Sequence, residues 1–103
     1  MTLSGKQRAA LRGEAHHLNA LVHVGHQGLS DTLVASLEDA LRTRELVKVQ
    51  LARTTEQSAK DAAGELASRT NAEVVQVIGR TVTLYRLNDE LDHRDDLLPP
   101  WKR

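Results

Sequence analysis

The sequence predicts an α/β domain of the two-layer α+β kind, in the order α-β-α-β-α-β-β, with a four-stranded mixed sheet. Three observations predict it. Leu and Ala recur at helical spacing in separate stretches of the chain. The run Leu46-Val47-Lys48-Val49-Gln50-Leu51 alternates, with Lys48 and Gln50 on one face and Val47, Val49 and Leu51 on the other. Two further β-rich segments flank Gly79-Arg80, as in a hairpin. The length of 103 residues allows a single core but not two.

In chain order, Ser4 is placed to cap a helix, and Gln7 completes the pattern of a capping box. Gln7, Leu11 and Ala15 then predict a helix from Gly5 to His16. Leu21 to Val24 is a short apolar run ended by Gly25 and is expected to be a strand. Ser30 is a second candidate cap. Leu29, Leu33, Leu37 and Leu41, with Val34 and Ala40 beside them, predict a helix from Asp31 to Thr43. After the alternating strand, Thr54, Thr55 and Ser58 form a polar connection. Ala59, Ala62, Ala63, Leu66 and Ala67 mark a helix ending near Thr70, with side chains small enough to pack closely on a sheet.

Glu73 to Ile78 and Thr81 to Arg86 are the last two strands. Gly in the first place of a two-residue loop suits a type II′ turn. That register pairs Val77 with Val82 and Val75 with Leu84 on an apolar face, leaving Gln76, Thr81, Thr83 and Tyr85 on the other. Such faces imply a sheet packed mainly on one side. Strand–helix–strand connections imply parallel pairs with right-handed crossovers, and the hairpin makes the sheet mixed. The domain is expected to span residues 1–87. Asn88 to Arg103 is expected to be a flexible acidic tail, with Asp89, Glu90, Asp92, Asp95 and Asp96 against Arg94, Lys102 and Arg103. No internal repeat is visible.

Composition narrows the function. Apolar residues at 40% and charged residues at 27% support a folded core. Tyr85 and Trp101 stand alone as large aromatics and Phe is absent, which argues against a sheet that stacks bases on aromatic rings. With no cysteine, disulfides and thiolate metal sites are excluded, which fits a reducing cytosol. Met1-Thr2-Leu3-Ser4-Gly5-Lys6 leads into no signal-like or membrane-spanning stretch, so a cytoplasmic protein is expected. A formal net charge of zero weighs against nucleic acid at first sight. With the acidic tail set aside, the body keeps a slight positive excess.

Gly25-His26-Gln27-Gly28 is the most suggestive local feature. Two glycines let backbone approach a ligand, and the helix start beyond Ser30 offers free N–H groups and a positive dipole end suited to phosphate. On spacing alone, a tight strand-to-helix turn explains the pattern somewhat better. Arg8, Arg12 and His16 share one helical face and could hold phosphates, though an ordinary solvated face is the plainer reading of that stripe. Lys48 and Arg80 could extend the surface. His16, His17, His23 and His26 fit no standard metal-ligand spacing, and partial protonation beside RNA is the better reading. Ser30 is better explained as a cap than as a nucleophile, and Walker-type and dinucleotide fingerprints are missing. The chain is therefore expected not to be an enzyme and to need no metal or cofactor.

Several blocks together resemble a known family. Lys6-Gln7-Arg8, Leu11-Arg12, Ala15-His16, Val24 to Ser30, Glu45 to Val49, Val75 to Arg80 and Leu84-Tyr85-Arg86 resemble the CRM domain, named for chloroplast RNA splicing and ribosome maturation. The likeness is to its stand-alone bacterial YhbY-like members and runs from Leu3 to Arg86. It implies a fold similar to the C-terminal domain of translation initiation factor 3. It also implies RNA binding through Gly25 and Gly28 with the basic positions Lys6, Arg8, Arg12, Lys48, Arg80 and Arg86. The implied partner is precursor large-subunit rRNA or a pre-ribosomal particle, with no membrane and no small-molecule substrate. Gln27 stands where bacterial relatives often have Asn, Ala20 where they have Pro, and the acidic tail has no counterpart. The alternative is a protein-interaction module of the ribosome-assembly or translation machinery that touches RNA only incidentally.

Overall fold

Ser4 caps α1 (Gly5–Ala15) as the spacing requires. Its hydroxyl accepts from the Gln7 amide at 3.1 Å, and the Gln7 side chain accepts from the Ser4 amide at 2.9 Å. This computed structural model describes residues 3–88. Ser30 and Ser58 cap α2 (Asp31–Arg44) and α3 (Ala59–Thr70), accepting from the amides of Leu33 and Asp61, each at 3.1 Å. The strands are β1 (Ala20–Val24), β2 (Leu46–Leu51), β3 (Glu73–Ile78) and β4 (Thr81–Tyr85). The element order is the expected one. The ends move by a residue: α1 stops at Ala15, β1 starts at Ala20, α2 reaches Arg44 and β4 stops at Tyr85.

The strand order is β1-β2-β4-β3. β1 and β2 are parallel, as the helix between them requires, and β4 runs antiparallel to both β2 and β3. The hairpin places β4 between β2 and β3, so the connection through α3 skips one position. Gly79 takes φ 56° while Arg80 is not among the positive-φ residues, the pattern of a type II′ turn. Val77 faces Val82 as expected. The expected Val75–Leu84 pair does not form, because a bulge between Val74 and Gln76 puts Val74 opposite Leu84. The extra residue turns Val74 toward the main core and sends Val75 to the other face.

The main core lies between the sheet and α2 with α3. Leu37, Leu41 and Leu66 meet Val24, Val47, Val49, Val82 and Leu84, all with essentially no exposure. Each such leucine contributes roughly 1.5–3 kcal/mol through burial. The opposite face is only half covered. There α1 brings Leu11, with Leu3 ahead of it, onto Val75 and Tyr85, with Leu46 and Leu87 at the margin. Tyr85 sits on the face expected, but beneath α1 and not in solvent. The rest of that face is polar apart from Ile78. Lys48 lies beside Thr83 and Thr83 beside Gln76. In the next row, His23, Gln50, Thr81 and Ile78 are neighbours in turn.

α2 ends at Glu45, a buried residue with φ 66°. Such a conformation in a non-glycine residue needs support from its surroundings. The Glu45 amide donates to Leu41 O at 2.9 Å, its carbonyl accepts from the Arg86 amide at 2.9 Å, and its carboxylate accepts from the Asn88 amide at 2.6 Å. Asn88 Nδ2 also donates to Arg42 O at 2.8 Å. The expected tail otherwise lies outside the described residues. Among the described residues, no helix is long and apolar enough to cross a membrane.

Candidate functional site

β1 runs straight into Gly25-His26-Gln27-Gly28, and α2 follows at Asp31. The turn is closed by the Gly28 amide donating to Gly25 O at 3.0 Å. Gly28 takes φ 70°, where a side chain is strained. Gly25 has no such φ, and a β-carbon there would meet nothing within 4 Å. The backbone thus asks for glycine at Gly28, while at Gly25 neither backbone conformation nor packing requires it. His26 and Gln27 stand exposed at the tip. The Gly28, Ser30 and Leu33 amides are already used, by Gly25 O, Gly28 O and the Ser30 hydroxyl. The amides of His26 and Gln27 at the tip, like those of Asp31 and Thr32 in the first turn of α2, have no acceptor among the described residues, and all lie near the positive end of α2.

Two residues outside the turn hold it in place. The buried Thr55 hydroxyl lies 3.1 Å from Val24 O and 3.2 Å from Gly25 O. Arg69, near the end of α3, donates to Leu29 O at 3.0 Å and to the Asp31 carboxylate at 2.8 Å. Neither stands out in the sequence. Their partners lie 30 and 40 residues away, and no local pattern marks them.

Three of the expected basic residues meet at one place. Arg12 on α1, His16 at its C-cap and Lys48 from β2 line a cleft over the open half of the sheet. Arg12 and His16 are exposed, while Lys48 is half-buried with one donor on Leu18 O at 3.1 Å. Arg80 lies beside this cleft on the β3–β4 turn, and its guanidinium donates to Ala52 O at 3.1 Å. The Ala52 amide in turn donates to Val24 O at 2.8 Å, so the Gly25–Gly28 turn, Arg80 and the cleft occupy the same end of the sheet.

The other basic positions stand apart. Lys6 is exposed near the start of α1. Arg8 is half-buried, and its Nε is buried without a partner among the described residues, so the stripe is not uniformly solvated. Arg86 is engaged at the opposite end, with donors on the Glu38 carboxylate at 2.9 Å and Thr70 O at 2.7 Å. His16 and His17 pack edge to face at 5.5 Å. Among the described residues, no three His, Cys, Asp or Glu are grouped to hold a metal ion. Ser30 acts as a cap, as its position implies.

Fold and site together define a class: a small α+β module with a mixed sheet, a Gly-x-x-Gly turn entering a capped helix, and a basic cleft over the open half of the sheet. The family model for the CRS1 / YhbY (CRM) domain matches residues 3–86, and the chain belongs to that family. It is 38% identical over 88 residues to the "Probable RNA-binding protein YqeI" of Bacillus subtilis, covering 85% of this chain and 92% of the relative. It is 39% identical over 89 residues to an "RNA-binding protein" of Haemophilus influenzae, covering 86% and 90%. Among solved structures, that of the hypothetical protein SAV1595 from Staphylococcus aureus superposes with a TM-score of 0.76 at 33% identity. The match covers 89% of this chain and 96% of the other.

Proposed function

We propose that this protein is a cytoplasmic, non-enzymatic RNA-binding protein that acts on precursor rRNA during large-subunit assembly. The observation that carries the reading is the basic cleft of Arg12, His16 and Lys48 over the open half of the sheet, with Arg80 and the Gly25–Gly28 turn at the strand ends beyond it. The names of its relatives support RNA as the partner. The rRNA assignment rests on the role that the CRM resemblance implies for stand-alone bacterial members. The turn would dock on a bend or junction, with the cations on flanking phosphates. Backbone and shape readout would dominate, because Tyr85, the one Phe, Tyr or Trp among the described residues, is buried.

The test uses Arg12→Ala together with Arg80→Ala, both at exposed positions. RNA affinity for large-subunit rRNA fragments should fall. The log–log salt slope should flatten by roughly 0.7 to 0.9 for each phosphate no longer neutralised, with an unchanged circular dichroism spectrum. An unaltered slope would favour the protein-interaction reading, to which the formal net charge of zero lends support. Sedimentation of a cell extract then shows whether the protein travels with large-subunit precursors.

The acidic tail would compete with phosphate for the same cations. Removal of residues 89–103 is expected to leave folding intact and RNA affinity equal or higher, read by thermal melting and a binding titration. Asn88 stays, because it bonds to Glu45 and Arg42. A marked loss of affinity would make the tail a contact arm.

A further inference from the structure

We propose that the cleft between α1 and the open half of the sheet holds one unpaired nucleotide, its phosphate on Arg12, His16 and Lys48 and its base on Gln76, Thr83 and Ile78. The inference deepens the RNA-binding reading and rests on it. The cleft encloses about 510 Å³, within the roughly 300–1,000 Å³ usual for small-ligand sites. Its lining has three cationic or protonatable side chains, an amide, hydroxyls and an aliphatic group, but no carboxylate. That set matches a nucleotide part by part. An anionic group needs the cations, and the hydrogen-bonding edge of a base needs a group that both donates and accepts, which the Gln76 amide provides. A base also needs an apolar surface against its face. Ile78 lines the cleft and is 63% exposed.

Thr83 points to a ligand independently. It is 2% exposed, it lines the cleft, and its hydroxyl has no protein partner among the described residues. The residue is buried but its hydroxyl is not sealed from solvent, so the group faces the cleft and is open to a hydrogen bond from a bound base edge. Paired bases are stacked within a helix and cannot enter, so the site selects an unstacked nucleotide. The cleft lining does not include the Gly25–Gly28 turn. The turn would hold backbone while the cleft takes one neighbouring base.

The experiment titrates ¹⁵N-labelled full-length protein with each of the four nucleoside 5′-monophosphates, with inorganic phosphate, and with a hairpin RNA carrying an unpaired loop. Monophosphates are expected to shift the amides of Gly13, Lys48, Gln76 and Thr83 saturably, and to bind at least threefold tighter than inorganic phosphate. Thr83→Val and Gln76→Ala should each remove that preference while leaving phosphate binding unchanged. Should Thr83→Val fail to fold, Gln76→Ala at a partly exposed position still decides. Equal binding of phosphate and monophosphates would overturn the proposal. So would hairpin RNA that binds both variants at full affinity and shifts only the Gly25–Gly28 amides, a result that leaves the RNA-binding reading standing. No binding of any RNA would remove that reading, and the cleft's role with it.

Discussion

A chain carrying His26→Asp and Gln27→Asp together is expected to keep its melting temperature and to lose at least tenfold in RNA affinity, about 1.4 kcal/mol. Both residues are exposed at the tip of the turn, so the core does not change. Gly25 and Gly28 remain, and with them the closing hydrogen bond and the positive φ that only Gly28 supplies. Asp is at ease in turns, and two carboxylates near the start of α2 lie where the dipole favours negative charge. Folding should therefore be neutral or slightly improved. Phosphate at the same place would meet two new negative charges beside Asp31, whose carboxylate is already paired with Arg69. The measurements are a thermal melt and a binding titration at low salt, where charge effects are least screened. Wild-type affinity in the double variant would take the turn off the binding surface and turn preference to the protein-interaction reading.

Much of the fold is legible because its signals are local. Ser4 with Gln7, and Ser30, mark helix starts through side chains that reach only three residues along the chain; Ser58, read only as part of a polar connection, caps α3 in the same way. Gly79 marks the hairpin because its φ is one that other residues avoid. The bulge at Val75 is not legible. Val74, Val75 and Val77 satisfy an alternating pattern in either register, and only α1 packing on the second face decides which valine turns toward it. The same non-local packing explains Tyr85. Its parity along β4 follows from the alternation, but its burial depends on Leu3 and Leu11, distant in sequence.

The candidate site divides in the same way. The Gly25–Gly28 turn can be read because glycine spacing and the Ser30 cap lie side by side. The convergence of Arg12, His16 and Lys48 cannot, since it depends on where α1 crosses the sheet. Thr55 and Arg69 hold the turn through carbonyls contributed by other segments, and a carbonyl leaves no trace in residue type. Arg86 illustrates the converse. The resemblance implies it as a basic RNA-binding position, and in the fold its guanidinium is held by the Glu38 carboxylate and Thr70 O, partners that leave no local pattern.

Replacing Arg86 by Ala is therefore expected to damage stability and to spare RNA binding. Its guanidinium joins α2 to the end of α3, donating to Glu38 and to the carbonyl of Thr70. That carbonyl belongs to the last turn of α3, where the helix provides no donor of its own. Thr70 is 1% exposed, so water is a poor substitute for the arginine. A buried acceptor left without its donor costs about 1–3 kcal/mol. The pairing with Glu38 adds little, since that carboxylate is 39% exposed and partly screened by solvent. In a domain of this size each kcal/mol is roughly 4–8 °C in melting temperature, so a fall on the order of 4 to 24 °C is expected. Arg86 also lies at the Tyr85 end of β4, a strand's length from the turn and from Arg80. RNA affinity measured well below the new melting temperature should match that of the parent chain. An unchanged melting temperature with lost affinity would return Arg86 to the RNA surface and show that the interface reaches the far end of the sheet.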